Sequence, residues 1–457
     1  MRNLVSSLSL PEAVGLSLSV IAPTVTAAFN ITLVVQAAGP AAPLTFAIGT
    51  VAMALVALSF VAFSRRVSHA GSAYAYVTFT FGSRAGFIAG WTLLLTYLGF
   101  TTAFAALVGN FTAAVLRRCG VDIGALWILV GAAAMLLAWW LAFRNMRLAG
   151  RLMLVLEGAA LLAIVALCAV ILREMRPTGA AALASFAPSA AHGGWTGIGF
   201  GLVFTVLSFA GFEGAATLGE ETVHPRRNIP IAMFGTVLGA GVFFVFVAYC
   251  EILGYGPGGI PGGIAALAKA DAPLDELALR YGSPTLATAL DLATATSAFS
   301  GVLGGLAAAA RVLFALGRAG LAPKLGLVHA VHGTPALAVT WATVLILVPF
   351  LAWAPFSGAS NYYSYLSTIA TLALILIYVG VGGAEMIEGW RERRRLWSAL
   401  CVVGPLVLLW ELYRTVYPAP EFPNNLWPYV AFAWTLAALG VIRMRPALGR
   451  SPLPDPL

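Results

Sequence analysis

The residues best suited to chemistry lie in one apolar stretch, Phe204 to Pro225, which reads FTVLSFAGFEGAATLGEETVHP. Glu213 stands between Gly211 and Gly214 in a run long enough to cross a membrane. A charged side chain at the centre of a bilayer costs about 3 kcal/mol. Backbone breaks at that depth are tolerated only against protein or a water-filled cavity. We therefore expect this stretch, broken near Ser208 to Gly211, to form half of a binding site.

A second interruption lies near the N-terminus, in the sequence GLSLSVIAPTVTAAFN. Pro23 has no backbone N–H and its ring clashes with the preceding turn, so it frees carbonyl groups around Val20 to Ala22. The start of a half-helix carries partial positive charge and its end partial negative charge. Two broken helices that meet therefore offer both poles to a small zwitterion or cation without using charged side chains.

The composition is that of a protein embedded in a membrane. Of its 457 residues, 60% are hydrophobic and only 10% are charged, against roughly 25% charged in soluble domains. The net charge is +8, but the basic residues fall in short clusters between apolar runs, a pattern that sets orientation in a bilayer and argues against nucleic-acid binding. The four cysteines are scattered, so neither a disulfide framework nor a metal site is indicated, and no cofactor is expected.

Twelve apolar stretches are long enough to cross a hydrocarbon core of about 30 Å. Numbered as spans 1 to 12, they are 13–37, 42–63, 86–115, 123–143, 150–172, 195–218, 230–254, 285–316, 336–354, 362–384, 396–414 and 427–443. Most of the 26 Lys and Arg residues fall on the side that holds the N-terminus. By the positive-inside rule both termini are expected in the cytoplasm. The chain is thus predicted to be a multi-pass protein of the plasma membrane, or of the inner membrane if it is bacterial.

The two breaks occupy equivalent positions if the chain contains two repeats. Residues 1–194 would hold spans 1 to 5 and residues 195–388 spans 6 to 10, so each break falls in the first span of its half. Paired broken helices are typical of inverted-repeat transporters, although each break alone is also explained as a kink, since proline and glycine are frequent in membrane helices. Residues 389–445 would form spans 11 and 12, and residues 446–457 a disordered cytoplasmic tail.

Two segments between spans are long enough to carry structure. Residues 64–84 are basic and contain glycine, and are predicted to be an interfacial or re-entrant intracellular segment. Residues 256–284 begin GPGGIPGG and are predicted to be an extracellular loop with a helical stretch. Glu220 and Glu221, which follow span 6, are predicted either to form gating salt bridges to the basic 64–84 segment or to lie in a solvated loop.

From Phe209 to Glu221 (FAGFEGAATLGEE) the sequence resembles the amino acid/polyamine/organocation superfamily of secondary transporters. His69 to Tyr76 and Ala310 to Pro323 (ARVLFALGRAGLAP) agree with it in order and spacing. The resemblance implies an all-α polytopic membrane protein of the leucine-transporter type. Its twelve transmembrane helices would include a five-plus-five inverted repeat broken in helices 1 and 6. The substrate would lie midway across the membrane between spans 1, 3, 6, 8 and 10.

The resemblance also implies which residues contact the substrate. An amino-acid carboxylate would meet free amides of span 1, and its ammonium would meet free carbonyls of spans 1 and 6. The expected substrate-binding residues are Ile21, Ala22, Pro23, Thr24, Val25, Ser208, Phe209, Ala210 and Gly211. Family members often carry small residues at the span 1 break. Because Pro23 supplies no amide here, Thr24 and Val25 would have to bind the carboxylate, which leaves an α-amino acid, a decarboxylated amine and another organic cation as alternatives.

Four further residues are candidates for gating and ion coupling. Glu213 and Glu157 are predicted to gate or to exchange a proton, because burial favours the neutral form of a carboxylic acid. The alternatives are that Glu213 stabilises a helix N-terminus and that Glu157 pairs with an arginine such as Arg151. Ser297 and Ser300 lie near where sodium-coupled members place hydroxyl ligands, although serine in a membrane helix also bonds its own backbone. A proton is the expected coupling ion rather than sodium.

The expected function is secondary active transport of amino acids or related amines by alternating access, either coupled to protons or by exchange. A polyamine or organic cation transporter and a substrate sensor on the same fold are the alternatives. A membrane-embedded enzyme is disfavoured because all five histidines fall in loops or at span ends and no HExxH motif is present. The expected partners are a small-molecule substrate and the lipid bilayer, with no nucleic acid.

Overall fold

The computed structural model describes residues 4, 6–144, 146–270, 272–417 and 422–449. Within these ranges the chain is almost entirely helical, and one isolated bridge joins Leu8 to Thr222. The long helices follow the predicted spans because each apolar run satisfies its backbone internally as a helix.

The helix bounds agree with the predicted spans to within a few residues at most ends. Span 1 comprises Leu10–Ile21, Pro23–Val25, a π-helical Thr26–Asn30 and Ile31–Ala38, and span 6 comprises Trp195–Phe209 and a 3-10 helix, Phe212–Leu218; the other spans are Ala42–Ser64, Ser83–Arg118, Trp127–Arg144, Met146–Met175, Pro225–Tyr255, Pro284–Arg318, Ala336–Ser357, Ala359–Arg391, Arg395–Val416 and Trp427–Met444.

Eleven helical segments of the described chain are long and apolar enough to cross a membrane. The first, Leu10–Ser64, has 55 residues, about 80 Å of helix and thus more than two bilayer cores. It is interrupted by a 3-10 turn at Gly39–Ala41. The predicted count of twelve treats this segment as spans 1 and 2; that count and the inverted repeat stay predictions.

The segments between spans carry short helices. The 64–84 segment contains Ala73–Phe81, and the 256–284 loop contains Gly263–Leu267 and Pro273–Tyr281. Within the predicted disordered tail, Pro446–Gly449 form a 3-10 turn, and the Leu448 side chain is 1% exposed and packs into the hydrophobic core; the disorder of the tail stays a prediction. Residues 450–457 lie outside the described residues.

Span 1 is broken at Ala22, as Pro23 predicts. Ala22 adopts a left-handed conformation with φ 47° and ψ 66°, which costs an L-residue of this kind about 1 kcal/mol or more. Pro23 cannot donate to the Ser19 carbonyl, and the Thr24 amide does not return to its own helix. The carbonyls of Ser19 and Val20 therefore lack their intrahelical donors.

Span 6 is broken at Ala210 and Gly211. Ala210 is extended with ψ 129°, and Gly211 has φ 101°, a conformation that glycine adopts at little cost. The chain then continues as the 3-10 helix Phe212–Leu218, so the amides at its start are freed from the preceding helix. The interruption lies where the glycine pattern of the sequence predicts it.

The two breaks pack directly against each other. The Ser17 hydroxyl donates to the Phe212 carbonyl at 2.6 Å, and the Ala215 amide donates to the Ser17 oxygen at 3.1 Å. A Cβ atom added to Gly211 would lie 2.2 Å from Cγ1 of Val20. Close packing of the two breaks therefore requires glycine at position 211.

Spans 3 and 8 form the centre of the bundle. In each, 94% of the most apolar stretch is buried, whereas the corresponding shares for spans 11 and 12 are 33% and 22%. Large apolar side chains on the outer helices, including Leu162, Val242 and Phe432, are exposed, as expected for surfaces that face lipid. Span 3 reaches the span 6 break through the Tyr97–Glu213 hydrogen bond, and Gly304 of span 8 packs against Ser19 and Val20 beside the span 1 break.

Replacing Gly211 with alanine is expected to destabilise the protein by about 2 kcal/mol or more, because the new methyl group meets Val20 and the φ of 101° is unfavourable for alanine. Thermal unfolding of purified protein measures the change. Gly235→Ala is the matched control, since Gly235 lies in a regular helix with no atom within 4 Å of the added Cβ. Equal midpoints for the two variants would show that the breaks do not pack as described.

Candidate substrate and coupling site

The nine residues predicted to bind substrate form one buried layer where the two breaks meet. All of Ile21 to Val25 and Ser208 to Gly211 are buried, and Thr24 and Phe209 are fully so. The Phe209 ring packs edge-on against Phe244 with centroids 5.2 Å apart. The structure therefore brings the predicted residues of spans 1 and 6 together.

Ser208 is tied to span 1 by a residue that the sequence did not single out. The Asn30 side-chain amide donates to the Ser208 oxygen at 3.3 Å and to the Thr26 oxygen at 3.3 Å. Asn30 is the last residue of the π-helical turn Thr26–Asn30, and such turns are frequent at functional sites because they redirect side chains. A buried asparagine in an apolar span was the available signal.

Glu157 of span 5 is the acceptor for the freed start of the second half of span 1. Its Oε1 accepts from the Thr24 amide at 3.2 Å and from the Thr24 hydroxyl at 3.0 Å, while its Oε2 accepts from the Ser297 hydroxyl at 2.6 Å. Glu157 is fully buried. One carboxylate thus joins spans 1, 5 and 8 beside the break.

The alternative in which Glu157 pairs with Arg151 is wrong. Arg151 instead pairs with Glu12, with its Nε 3.1 Å from Oε1 of Glu12. The other oxygen of Glu12, Oε2, accepts from the Ser9 amide at 2.9 Å. Arg151 is six residues before Glu157 and points to the end of the bundle where the first helix begins. The carboxylate of Glu157 therefore has hydroxyl and amide donors but no cationic partner among its hydrogen bonds.

Ser297 and Ser300 both point at span 5. Ser297 donates to Glu157, and Ser300 donates to the Met153 carbonyl at 3.4 Å. Neither of these bonds returns to span 8, so the expected bonding of serine to its own helix does not account for them. With the Thr24 hydroxyl they place several oxygen atoms around Glu157, a donor set that suits either a hard cation or a carboxyl group that exchanges a proton.

Glu213 joins span 6 to spans 3 and 10. Its two oxygens accept from the Tyr97 hydroxyl at 3.0 Å and the Tyr378 hydroxyl at 2.6 Å, and the Gly211 amide lies 3.4 Å from the Tyr378 oxygen. All three side chains are almost completely buried. Glu213 lies at the start of the second half-helix of span 6, as one interpretation expects, and its role in gating or proton exchange stays a prediction.

Tyr378 is a site residue that the sequence did not reveal. Its ring lies 5.2 Å from Phe212 and 5.4 Å from Phe60 between centroids. Phe60 and Phe212 are themselves 5.4 Å apart. The only sequence signal was a hydroxyl in a long apolar span, which needs a partner inside a membrane.

Buried ion pairs hold together the end of the bundle near the N-terminus. Arg311 of span 8 is fully buried and donates to both oxygens of Glu221 at 2.6 and 2.9 Å. Arg318 donates to Glu220 at 3.0 Å, and the same carboxylate accepts from the Ala70 amide at 3.0 Å. Salt bridges at Glu220 and Glu221 were predicted, but their cationic partners belong to span 8 and not to the 64–84 segment.

The 64–84 segment contributes a neutral histidine to this junction. Burial lowers the pKa of His69 to about 4, with Glu220 acting to raise it and Arg318 to lower it. For Glu220, burial acts to raise the pKa, but the hydrogen bond and charge of Arg318 and the hydrogen bond from the Ala70 amide outweigh it and lower the pKa overall. His69 Nδ1 accepts from the Gly71 amide at 2.9 Å, and its Nε2 lies 3.2 Å from Arg318.

Comparisons with known proteins identify the family to which the chain is similar. The sequence model of a family described as amino acid permease matches residues 8–442. The branched-chain amino acid permease BcaP of Lactococcus lactis subsp. cremoris is 26% identical over 399 residues, covering 82% of this chain and 83% of that protein. The low-affinity putrescine importer PlaP of Escherichia coli K12 is 31% identical over 314 residues, covering 65% and 64%. The D-serine/D-alanine/glycine transporter of E. coli K12 is 25% identical over 222 residues, covering 48% and 45%.

Mild acid is expected to loosen the junction around His69. Because the folded pKa is about 4 and the ordinary value is 6.5, the unfolded chain binds the proton first, so the contribution to stability is complete above pH 6.5 and is lost as the pH falls towards 4. The shift in pKa corresponds to about 3 kcal/mol. The unfolding midpoint should therefore decline across this range, and less steeply in His69→Gln. Parallel pH profiles for the two proteins would contradict the burial of a neutral His69.

Proposed function

This chain belongs to the amino acid permease family, and from that membership we propose that it is a secondary active transporter of amino acids or related amines that works by alternating access. The observation that carries the proposal is the meeting of the span 1 and span 6 breaks in one buried layer. Half-helices that end midway across the membrane leave backbone N–H and C=O groups without helical partners, and a small substrate can bind to these groups. The ion pairs of Glu220 and Glu221 must separate if substrate is to leave on their side.

The charges around the breaks favour a substrate that carries an ammonium group. Glu157 accepts hydrogen bonds from Thr24 of the layer, Glu213 lies two residues beyond Gly211, and the nine predicted substrate-binding residues include no lysine, arginine or histidine. The Ser19 and Val20 carbonyls add partial negative charge at the end of the first half of span 1.

Whether the site binds a zwitterionic substrate or a simple amine depends on the hydrogen-bond donors of Thr24. Its amide and hydroxyl are the donors expected to bind a substrate carboxylate, and both donate to Glu157. A substrate carboxylate at Thr24 therefore competes with Glu157, and two adjacent carboxylates repel unless one is neutral. An amine without a carboxylate has no such competition, so polyamine or amine transport is the second candidate function.

We infer from this competition how a proton is coupled to a zwitterionic substrate. Protonation of Glu157 neutralises the carboxylate and weakens its hold on the Thr24 donors, which then bind the substrate carboxylate. Ser297 continues to hold the protonated side chain in place through its hydroxyl. Substrate and proton are then carried together, with Glu157 as the coupling residue. Ser297 positions Glu157, Ser300 bonds span 5 at Met153, and neither serine binds sodium.

Glu157→Gln is expected to abolish the pH-driven component of uptake because glutamine cannot exchange the proton. The measurement is uptake by proteoliposomes of a panel of labelled amino acids and of putrescine, with and without an imposed pH gradient. We expect the gradient to drive uptake by the unaltered chain and the variant to lose about tenfold or more of that component. Glu174→Gln, an exposed position on the same helix, is the control. Gradient-independent uptake by the unaltered chain would refute proton coupling, and no uptake of any panel member by folded protein would refute transport.

Thr24→Val is expected to separate the two substrate classes, because valine keeps the shape of threonine and removes the hydroxyl donor. If the substrate is a zwitterion, uptake of the amino acid should fall about tenfold while uptake of the matching decarboxylated amine is unchanged. The experiment compares leucine with isopentylamine and ornithine with putrescine. Equal losses for both members of a pair would show that Thr24 does not contact the substrate carboxylate.

A further inference from the structure

A second cavity, of about 480 Å³, lies among spans 1, 6, 10 and 11. Its walls come from the second half of span 1, the first halves of spans 6 and 10, and the end of span 11. The volume is in the range of small-molecule sites. Leu207 lines it three residues before the span 6 break, and Asn30 connects it to Ser208, so the cavity lies beside the predicted substrate layer but is made by different side chains.

Glu411 lines this cavity and is 1% exposed. Neither of its carboxylate oxygens has a hydrogen-bond partner among the described residues. A buried carboxylate is normally paired or hydrogen-bonded, because leaving it uncompensated costs several kcal/mol. The Glu411 carboxylate therefore has two oxygens free to accept hydrogen bonds from a cationic group.

Arg414 lines the same cavity three residues further along span 11. Glutamate followed by arginine at this spacing is a favourable pair on a helix, yet the two do not pair here. The Arg414 guanidinium lies over the Phe200 ring, with Cζ 3.9 Å from the ring centroid, and its Nε has no hydrogen-bond partner among the described residues. An acidic and a basic side chain thus face one cavity without pairing with each other.

Uncharged oxygen acceptors line the same cavity as Glu411 and Arg414. The Asn30 Oδ1 atom is buried without a partner in the described chain. Ser367 and Thr371 of span 10 donate to carbonyls of their own helix, at 3.2 and 2.8 Å, so their oxygens keep lone pairs for another donor. An ammonium has three N–H groups, and the cavity offers carboxylate, amide and hydroxyl oxygens to receive them.

We propose that this cavity binds a zwitterion, with its ammonium on Glu411 and its anionic group on Arg414. Side chains three residues apart on a helix have Cβ atoms about 5 to 6 Å apart, a separation that the ammonium and carboxylate of one α-amino acid bridge with the two long side chains. The same chemistry is supplied by a free amino acid and by the headgroup of phosphatidylethanolamine. The proposal rests on the proposed function only for its ligand class and does not require the transport step.

Equilibrium binding to the full chain in phosphatidylcholine nanodiscs tests the free-ligand source. Each of the twenty standard amino acids is measured beside, where it exists, its decarboxylated amine, in the unaltered protein and in Glu411→Gln and Arg414→Gln. We expect at least one amino acid to lose about tenfold or more in affinity in both variants, and its amine to bind weakly and to be insensitive to Arg414→Gln. Arg395→Gln, an exposed position at the other end of span 11, should bind like the unaltered chain.

A second arm tests the lipid source. The thermal unfolding midpoint is compared between nanodiscs of phosphatidylcholine alone and nanodiscs containing phosphatidylethanolamine. A midpoint raised by phosphatidylethanolamine in the unaltered chain, and not in Glu411→Gln, supports the site with the headgroup as its ligand. If neither arm depends on Glu411 and Arg414 in folded protein, the proposal is overturned. Because uptake is not part of either readout, a failure here leaves the transport proposal intact, and the loss of uptake in Glu157→Gln leaves this site intact.

Discussion

A half-helix that ends inside a membrane leaves N–H groups that need acceptors, and water is not there to supply them. The chain meets this requirement with its own carboxylates. Glu157 receives the Thr24 amide at the span 1 break, and Glu213 reaches Gly211 at the span 6 break through Tyr378. Each glutamate also binds a helix that is distant in sequence, so the same bonds that make the breaks tolerable tie spans 3, 5, 8 and 10 to the two broken helices.

The need to bond every backbone N–H group inside the membrane explains which features were predictable from the sequence. The spans were predictable because each long apolar run has one stable form in lipid, and the breaks because Pro23 and Gly211 interrupt a helix locally. The hydrogen-bond partners at the breaks were not predictable, because they are distant in sequence. Glu157 and Thr24 are 133 residues apart, and Tyr378 and Glu213 are 165 residues apart. Because a membrane helix is apolar on every face, its sequence does not show which face packs against the other helices. The expected carboxylate site at Thr24 therefore gave no hint that a protein carboxylate already faces it.

Acidic and basic side chains are buried in two different arrangements near the predicted substrate layer. At the end of the bundle near the N-terminus, Glu221 and Arg311 neutralise each other through two hydrogen bonds, and breaking such a pair costs about 3 to 5 kcal/mol. Glu411 and Arg414, by contrast, line one cavity without pairing. The Glu221–Arg311 pair therefore holds two helices together, whereas the unpaired Glu411 and Arg414 side chains can gain from a ligand that pairs with both.

In the proposed mechanism, competition for the Thr24 donors makes proton binding and substrate binding reciprocal. If protonation of Glu157 raises the affinity for a zwitterion by some factor, the zwitterion must raise the affinity of Glu157 for a proton by the same factor. Coupling energies of this kind are about 1 to 3 kcal/mol, comparable with the hydrogen bonds that Thr24 exchanges. An amine leaves the Thr24–Glu157 bonds in place and gains from a charged Glu157, so it is coupled to the proton with the opposite sign. The direction in which pH changes substrate affinity thus follows from whether the substrate carries a carboxylate.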